Sequence, residues 1–307
     1  MNARRPRAYR RRRPRRRGRL RSVAPLLRRR ASLSRLGPGD LGSISALLDR
    51  DRVANVYLRS ELRLAAAEGR PLGAPWLSWW GVGSGPGLRA LLLGGSLVVP
   101  WIPDPEDAVL LSGALPHLPP LRLMIGPAPS VRVLAAAIAP RHRPAEVRDP
   151  QPVMVLDRPP PGVPLDAPVR AAGSADLDRL VNASAAMHRE EMGVDPLALD
   201  PVGWRHRMVT LVERGWSYVW AEGDRILFKV ELSAWTPEVL QLQGVWTDPR
   251  VRRRGLATRG LAAVCALLLR EVPLCSLYVN AYNVPALGLY ARLGFRRAGD
   301  FATFIYP

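Results

Sequence analysis

One segment, residues 239–295, limits what this chain can fold into more than any other. Val239–Thr247 alternates and is rich in β-formers, which predicts a strand. A basic turn from Asp248 to Arg254 follows and closes on Gly255-Leu256-Ala257. From about Arg254 to Arg270 the apolar residues Leu261, Val264 and Leu268 recur at helical spacing, with Leu267 beside them. A strand that feeds a helix through small residues leaves backbone N–H groups pointing out of the helix start. Those donors, the positive end of the helix dipole and the nearby arginines favour an anion there. Arg252 to Ala257 therefore read as a pyrophosphate cradle. The loop carries neither the G-x-G-x-x-G dinucleotide fingerprint nor the G-x-x-x-x-G-K-[ST] phosphate loop.

The pattern is Arg252-x-x-Gly255-x-Ala257, with Val245 near the end of the preceding strand. A buried strand is expected at Leu274–Val279, and Asn283, Ala286, Tyr290 and Gly294-Phe295 come after it. Together these stretches resemble the GCN5-related N-acetyltransferases (GNATs). That family carries Gln/Arg-x-x-Gly-x-Gly/Ala in its coenzyme A loop and Asn-x-x-Ala-x-x-x-Tyr-x-x-x-Gly-Phe downstream. The hexamer alone is weak in an arginine-rich chain. Two motifs in order, a helix apart, are specific. Arg253 stands where many members have glycine, so its backbone conformation is the open point of the loop.

The resemblance implies an acetyl-CoA cosubstrate with its pyrophosphate on Arg252, Arg253, Arg254, Gly255, Leu256, Ala257 and Thr258. Its pantetheine arm would lie along Leu242–Thr247, so Val245, Trp246 and Thr247 join the cofactor-binding set, with Asn283, Ala286 and Tyr290. A backbone N–H of that strand would meet the thioester oxygen. Asn283 suits a helix N-cap, and Ala286 and Tyr290, four apart, share a helix face. Tyr290 would present its hydroxyl to the sulfur as general acid. Its bland alternative is a core tyrosine with the hydroxyl at the rim.

Acetyl transfer to an amine also needs a base. Glu190 and Glu191 fall in a predicted loop, MHREEMGVDPL, that borders the acceptor side in the resembled fold. Acceptor recognition or base catalysis stands there beside the plain reading of a charged helix end in solvent. Glu231 is the competing base. On a strand it shares a face with Lys229, and the pair is either placed in the cleft or a surface ion pair. Gln241 and Gln243 share a face with Val239 and are further cleft candidates.

The proline-rich run Asp157 to Asp166, DRPPPGVPLD, is the best domain boundary. Before it, helices are expected at Ile44–Leu48, Val53–Leu64 (opened by Asp51), Asp107–Leu118 and Ser130–Ile138. Strands are expected at Trp76–Val82, Leu88–Leu93, Leu97–Pro100, Leu121–Ile125 and Val153–Leu156. This α+β module resembles the uncharacterised domain that precedes acetyltransferase domains in actinobacterial proteins, itself like a degenerate acetyltransferase half. It has no Arg-x-x-Gly-x-Gly/Ala loop and is assigned a structural or substrate-shaping role. After the boundary, the order β-α-α-β-β-β-α-β-α-β-β is expected, ending in a strand at Phe301–Tyr306. The expected organisation is a tail over residues 1–39, an α+β domain over 40–158 and a GNAT domain over 167–307. The fold class is α+β, a mixed sheet flanked by helices.

Charge separates the tail from the rest. Residues 1–39 hold sixteen arginines and no acid, so they supply +16 of the formal +19. Such a segment cannot bury a core. It reads as a polyelectrolyte arm for nucleic acid or an anionic membrane, or as a solvated extension or sequence upstream of the true start; the lack of any link to the downstream chemistry favours the latter pair. Lys229 is the one lysine, a bias that fits a GC-rich genome. Two cysteines inside predicted elements point to packing in a reducing, cytoplasmic compartment. The four histidines lack ligand spacing, so no metal is expected, and no apolar run is long enough to span a membrane. The expected activity is acetyl-CoA-dependent N-acetylation of an amine acceptor. The alternative is a non-catalytic acyl-CoA sensor or scaffold, tethered to nucleic acid by the tail, which alone could make that contact.

Overall fold

The computed structural model describes residues 32–74, 77–95 and 97–307. The expectation for most of the tail, and Trp76 at the start of one expected strand, lie outside the described residues. Ser32–Pro307 form one compact unit.

The elements before the proline-rich link are β1 (Leu33–Arg35), α1 (Leu41–Leu48), α2 (Val56–Ala67), β2 (Gly73–Ala74), β3 (Leu77–Val82), β4 (Ala90–Gly94), β5 (Leu97–Trp101), α3 (Asp107–Ser112), β6 (Leu123–Pro127), α4 (Ala128–Ile138) and β7 (Glu146–Leu156). After it come β8 (Arg170–Ala171), α5 (Leu177–Met192), α6 (Pro196–Leu199), α7 (Pro201–Glu213), β9 (Ser217–Glu222), β10 (Arg225–Trp235), β11 (Leu240–Thr247), α8 (Leu256–Leu268), β12 (Cys275–Tyr278), α9 (Val284–Arg292) and β13 (Arg296–Ile305).

Four expectations are corrected at this level. Order starts before Gly39, because Leu33–Arg35 pairs with β3 and Leu36 is buried. Asp51 accepts the Ala54 N–H in a turn, while Asn55 is the residue that precedes α2. The helix expected over Asp107–Leu118 stops at Ser112, where Gly113 ends it. One strand, β13, follows α9 where two were expected.

The missing strand comes from the first half of the chain. One mixed sheet runs β1-β3-β4-β5-β6-β13-β7-β12-β11-β10-β9-β8, with β2 paired to β3 off this path. Thus β7 lies between β12 and β13, opposing Leu156 to Cys275 and Val155 to Arg296. In return β13 lies between β7 and β6, opposing Ile305 to Leu123. Each half lends the other a strand, and the sheet has no seam at the link. The sequence hid this because the outer stretch of β7, Glu146–Pro152, is charged and proline-containing, unlike a central strand.

Helices cover both faces of the second half. On one, Leu261, Val264, Cys265 and Leu268 of α8 pack on Phe228, Val230, Leu240 and Leu277. Gly260 lets α8 approach β10, since a Cβ there would stand 2.6 Å from the Phe228 ring. On the other, α5 and α7 bury Leu180, Val181, Met208 and Leu211 against Val219 and Ile226. Helix α2 crosses between halves: Val56 packs on Ala234 and Val239, and Arg59 pairs with Glu238 at 3.0 Å. Full burial of each such Leu or Val contributes about 1.5–3 kcal/mol.

Candidate active site

The site begins where two parallel strands part. β11 and β12 pair at Leu240 with Cys275 and at Gln241 with Ser276. On its other edge β11 carries a bulge: Lys229 opposes Trp246 and Glu231 opposes Gln243, so three residue steps on β11 match two on β10. A bulge bends its strand, and here it turns β11 from β12. Gly244 sits in it at φ +60°, and a Cβ there would lie 3.1 Å from Glu231 Oε2 and 3.2 Å from Lys229 Nζ. Glycine is needed both for the left-handed backbone and for the close approach. The gap is a cleft of about 380 Å³, lined by Gly244, Val245, Tyr278, Asn280, Glu191 and Tyr290 among others.

The basic turn continues from the same strand. Asp248 accepts from the Arg250 N–H at 3.0 Å, the Arg250 guanidinium at 3.0 Å and the Arg225 guanidinium at 2.5 Å. Burial alone would push this carboxyl up; the bonds from Arg250 and Arg225 outweigh it and hold it well below the carboxylate range. Arg252 donates through Nε to the Thr247 carbonyl at 3.0 Å and through Nη2 to Glu190 at 2.6 Å. Arg253 is left-handed at φ +61° and Gly255 at φ +81°, the latter as N-cap of α8. Nothing lies within 4 Å of a Cβ built on Gly255, so its constraint is conformational rather than spatial. Among the described residues, the backbone N–H groups of Arg252 through Thr258 find no backbone acceptor, and Arg253 and Arg254 are exposed without ion-pair partners. Free amides, a helix start and two free guanidiniums are the donor set an anionic diphosphate needs.

Helix α9 forms the facing wall. Asn283 caps it, accepting the Ala286 N–H at 3.2 Å. Ala286 and Tyr290, one turn apart, both line the cleft. Tyr290 is 6% exposed and tilts against Phe295 with ring centroids 5.7 Å apart. Burial, then the Glu191 charge, push its phenol well above the ordinary range. It is therefore a protonated donor at neutral pH.

The three glutamates part company. α5 runs on to Met192 and stops at left-handed Gly193, so Glu190 and Glu191 occupy its last turn rather than a loop. Glu190 turns to the basic loop, where it accepts from Arg252 and from the Trp246 indole at 3.4 Å, and it does not line the cleft. Glu191 does line it. Its side chain keeps solvent access at the rim, yet the protein around it desolvates the carboxyl enough to raise it above the ordinary range. Glu231 also lines the cleft and is buried at 2% exposed, with Lys229 at 0%. Lys229 Nζ donates to Glu231 Oε1 at 2.6 Å and to the Gly244 carbonyl at 3.3 Å; Ser184 donates to the same Oε1 at 3.1 Å. The pair is thus an internal strut of the cleft, not a surface ion pair.

Of the other cofactor-binding candidates, Val245 lines the cleft and Thr247 lends its carbonyl to Arg252. Trp246 is buried under α5 and α7. Leu256, Ala257 and Thr258 form the first turn of α8. Sequence reasoning missed Gly244, although a glycine inside a strand is a recognised sign of a bulge. It also missed the ladder in which Thr303 of β13 donates to Gln151 of β7 at 2.6 Å and Gln151 to Asn280, in the loop after β12, at 2.8 Å. No local pattern marks that ladder, because the strand exchange assembles it.

Residues 187–295 match the acetyltransferase (GNAT) family model, and residues 78–180 match a domain of unknown function (DUF4081). The first match stops one residue short of β13. No curated protein matches the chain in sequence. Several solved structures share the fold. A GNAT-family acetyltransferase from Colwellia psychrerythraea is 14% identical with a TM-score of 0.54, over 90% of this chain and 100% of that one. A GCN5-related N-acetyltransferase from Sphaerobacter thermophilus is 16% identical with a TM-score of 0.54, over 92% and 98%. A tandem GNAT protein from the clavulanic acid biosynthesis pathway is 16% identical with a TM-score of 0.54, over 90% and 98%.

Proposed function

We propose that this chain, whose residues 187–295 match the acetyltransferase (GNAT) family model, moves an acetyl group from acetyl-CoA to an amine. The family-model match supports acyl transfer; the acyl group, the amine and the residue roles are our reading. The observation that carries it is the cleft between β11 and β12, which gathers Gly244, Val245, Glu191, Glu231 and Tyr290 on one cavity.

The donor set fits acetyl-CoA. The free amides of Arg252–Thr258, with Arg253 and Arg254, would hold its pyrophosphate, and the unpaired edge of β11 beyond Gln241 would hold its pantetheine. Acetyl-CoA supplies the activated acyl group. A free edge N–H of the bulge at Gly244–Val245 would polarise the thioester carbonyl. Glu191 takes the proton the amine loses as its nitrogen bonds to the acyl carbon, a role suited to a carboxyl held above the ordinary range. The carbon–sulfur bond breaks, and the Tyr290 hydroxyl gives its proton to the departing thiolate. Lys229 and Glu231 position β11 across the bulge. Glu190 positions Arg252 and is withdrawn from the base candidates.

The test uses the full chain, because residues 167–307 alone lack β7. Calorimetry should show acetyl-CoA binding with a stoichiometry of about one site, and thiol release should appear with a primary amine. Absence of acetyl-CoA binding by the full chain overturns the reading; binding without thiol release from any amine class would leave a sensor.

A further inference from the structure

A second, larger cavity of about 550 Å³ adjoins the cleft. It is walled by both halves of the chain: Tyr57 of α2, Val99 of β5 and Ile125 of β6 on one side, Trp216, Tyr278 and Phe301 on the other. Leu123, Ile125, Arg207, Gln243 and Tyr278 line both cavities, so the two meet along a shared wall. The volume is that of a small-molecule site.

Two polar groups in it are open to a ligand. Gln241 is 2% exposed, its Oε1 accepts from Ser233 at 2.9 Å, and its Nε2 has no partner. A buried amide donor left unmatched is costly unless something in the cavity accepts from it. Arg207 is solvent-exposed and stands at the junction of the cavities. Arg148 is paired with Glu146 at 2.6 Å and Arg214 with Glu68 at 2.7 Å, but Arg207 has no carboxylate partner among the described residues. Its guanidinium lies 5.9 Å from the Trp204 ring centroid. Burial and then the Arg207 charge hold the His188 imidazole of the cleft below its ordinary range. The one carboxylate of the larger cavity, Glu61, is countered by Arg70 at 3.6 Å.

We propose that the larger cavity takes the side chain of the acceptor, and that the acceptor is an amino carboxylate with a bulky apolar, preferably aromatic, side chain. This rests on the acetyl-transfer reading of the cleft. The amine enters the cleft beside Glu191, the carboxylate sits on Arg207 at the junction, and the side chain fills the space under Tyr57, Trp216 and Phe301. An acceptor atom at the far end of the side chain, such as a phenolic oxygen, meets Gln241 Nε2. The first half of the chain thus supplies one wall of the acceptor site.

The test compares phenylalanine with 2-phenylethylamine, which lacks the carboxylate, and with tyrosine, on the full chain. Thiol release should favour phenylalanine over 2-phenylethylamine by about tenfold or more in kcat/KM, the worth of a charge-assisted contact. Tyrosine should exceed phenylalanine, and Gln241→Leu should erase that difference. Arg207→Met should raise KM for phenylalanine by about tenfold while leaving 2-phenylethylamine unchanged; Arg207→Lys should retain part of the preference. Thr210→Trp, which fills the cavity from α7, should weaken phenylalanine binding and spare acetyl-CoA. Equal use of phenylalanine and 2-phenylethylamine, or an Arg207→Met effect of the same size on both, overturns the inference. Calorimetry separates the two readings. Acetyl-CoA binding without binding of phenylalanine or N-acetylphenylalanine overturns the acceptor site alone. Phenylalanine binding without acetyl-CoA binding retains the cavity's ligand and overturns the acetyl-transfer reading.

Discussion

The two halves of the sheet repeat one run of strands and differ at its end. In the first, β3, β4 and β5 are antiparallel neighbours and β5 meets β6 in parallel at Leu97 with Leu123 and Val98 with Met124. In the second, β9, β10 and β11 do the same and β11 meets β12 over two residue pairs. The segments that follow diverge. After β5 comes Ile102-Pro103-Asp104-Pro105-Glu106 and a six-residue helix that opens on Asp107. After β11 comes a loop with Arg250, Arg252, Arg253, Arg254 and Gly255, and a thirteen-residue helix. Where the second half leaves its strands parted, Ser130 of α4 accepts the Ile102 N–H at 2.9 Å and ties the corresponding ends together. α4 turns Val131, Leu134 and Ala135 inward, with no counterpart to Tyr290. A carboxylate-rich turn repels a diphosphate that an arginine-rich one attracts. The apolar pattern preserves the scaffold in both halves, while a few loop residues give one half an anion-attracting turn and deny it to the other.

The strongest test of that comparison is to separate the halves. Residues 167–307 expressed alone should show no cooperative thermal unfolding by circular dichroism and no acetyl-CoA binding, since β12 and β13 lose the strand between them. A folded, binding-competent fragment would break the account of the exchange. Next comes the strut. Lys229→Met leaves Glu231 buried and unpaired and should cost about 3–5 kcal/mol in urea unfolding, whereas Lys229→Met with Glu231→Leu should recover most of it.

Catalysis should divide the halves more sharply than stability does. Tyr290→Phe should lower kcat by about 10²-fold, with tenfold the least that sustains a general acid, and leave acetyl-CoA affinity within about twofold. Leu134→Met in α4 should leave kcat unaltered. The pH profile carries a sign. A base with a raised carboxyl is protonated and inactive at low pH, so kcat/KM should rise with pH through a value above that of an ordinary glutamate. Glu191→Gln should remove that limb and Glu190→Gln should not.

Smaller effects belong to the loops. Gly255→Ala forces a side chain into the left-handed region and should cost about 1–2 kcal/mol, read as weaker acetyl-CoA binding. Arg253→Gly relieves the same strain and should change stability by less than about 1 kcal/mol. Replacing both Asp104 and Glu106 by Ala should leave acetyl-CoA affinity unchanged, because that turn is not part of the cradle; a gain would mean that the first half retains a latent site.

Much of the second half was legible because its signals are local. The strand β11, the helix α8 and the Asn283 cap each rest on periodicity or capping chemistry within a few residues. The end of α5 was misplaced because HREEM is polar enough to read as loop, and the stop signal, Gly193, lies five residues beyond His188. The sequence left two settings open for Lys229 and Glu231, since a strand's alternation gives which residues share a face but not which face is buried.

From its residues alone this protein had its α+β class, its arginine- and glycine-bearing loop and the tyrosine of its facing helix, because each depends on neighbours in sequence. Its tertiary structure alone decided that β7 and β13 change places, that Glu191 and not Glu190 reaches the cleft, and that Arg207 and Gln241 meet a cavity walled by both halves. Those outcomes depend on which distant strands pair and which side chains burial strips of water, and no spacing along a chain encodes either.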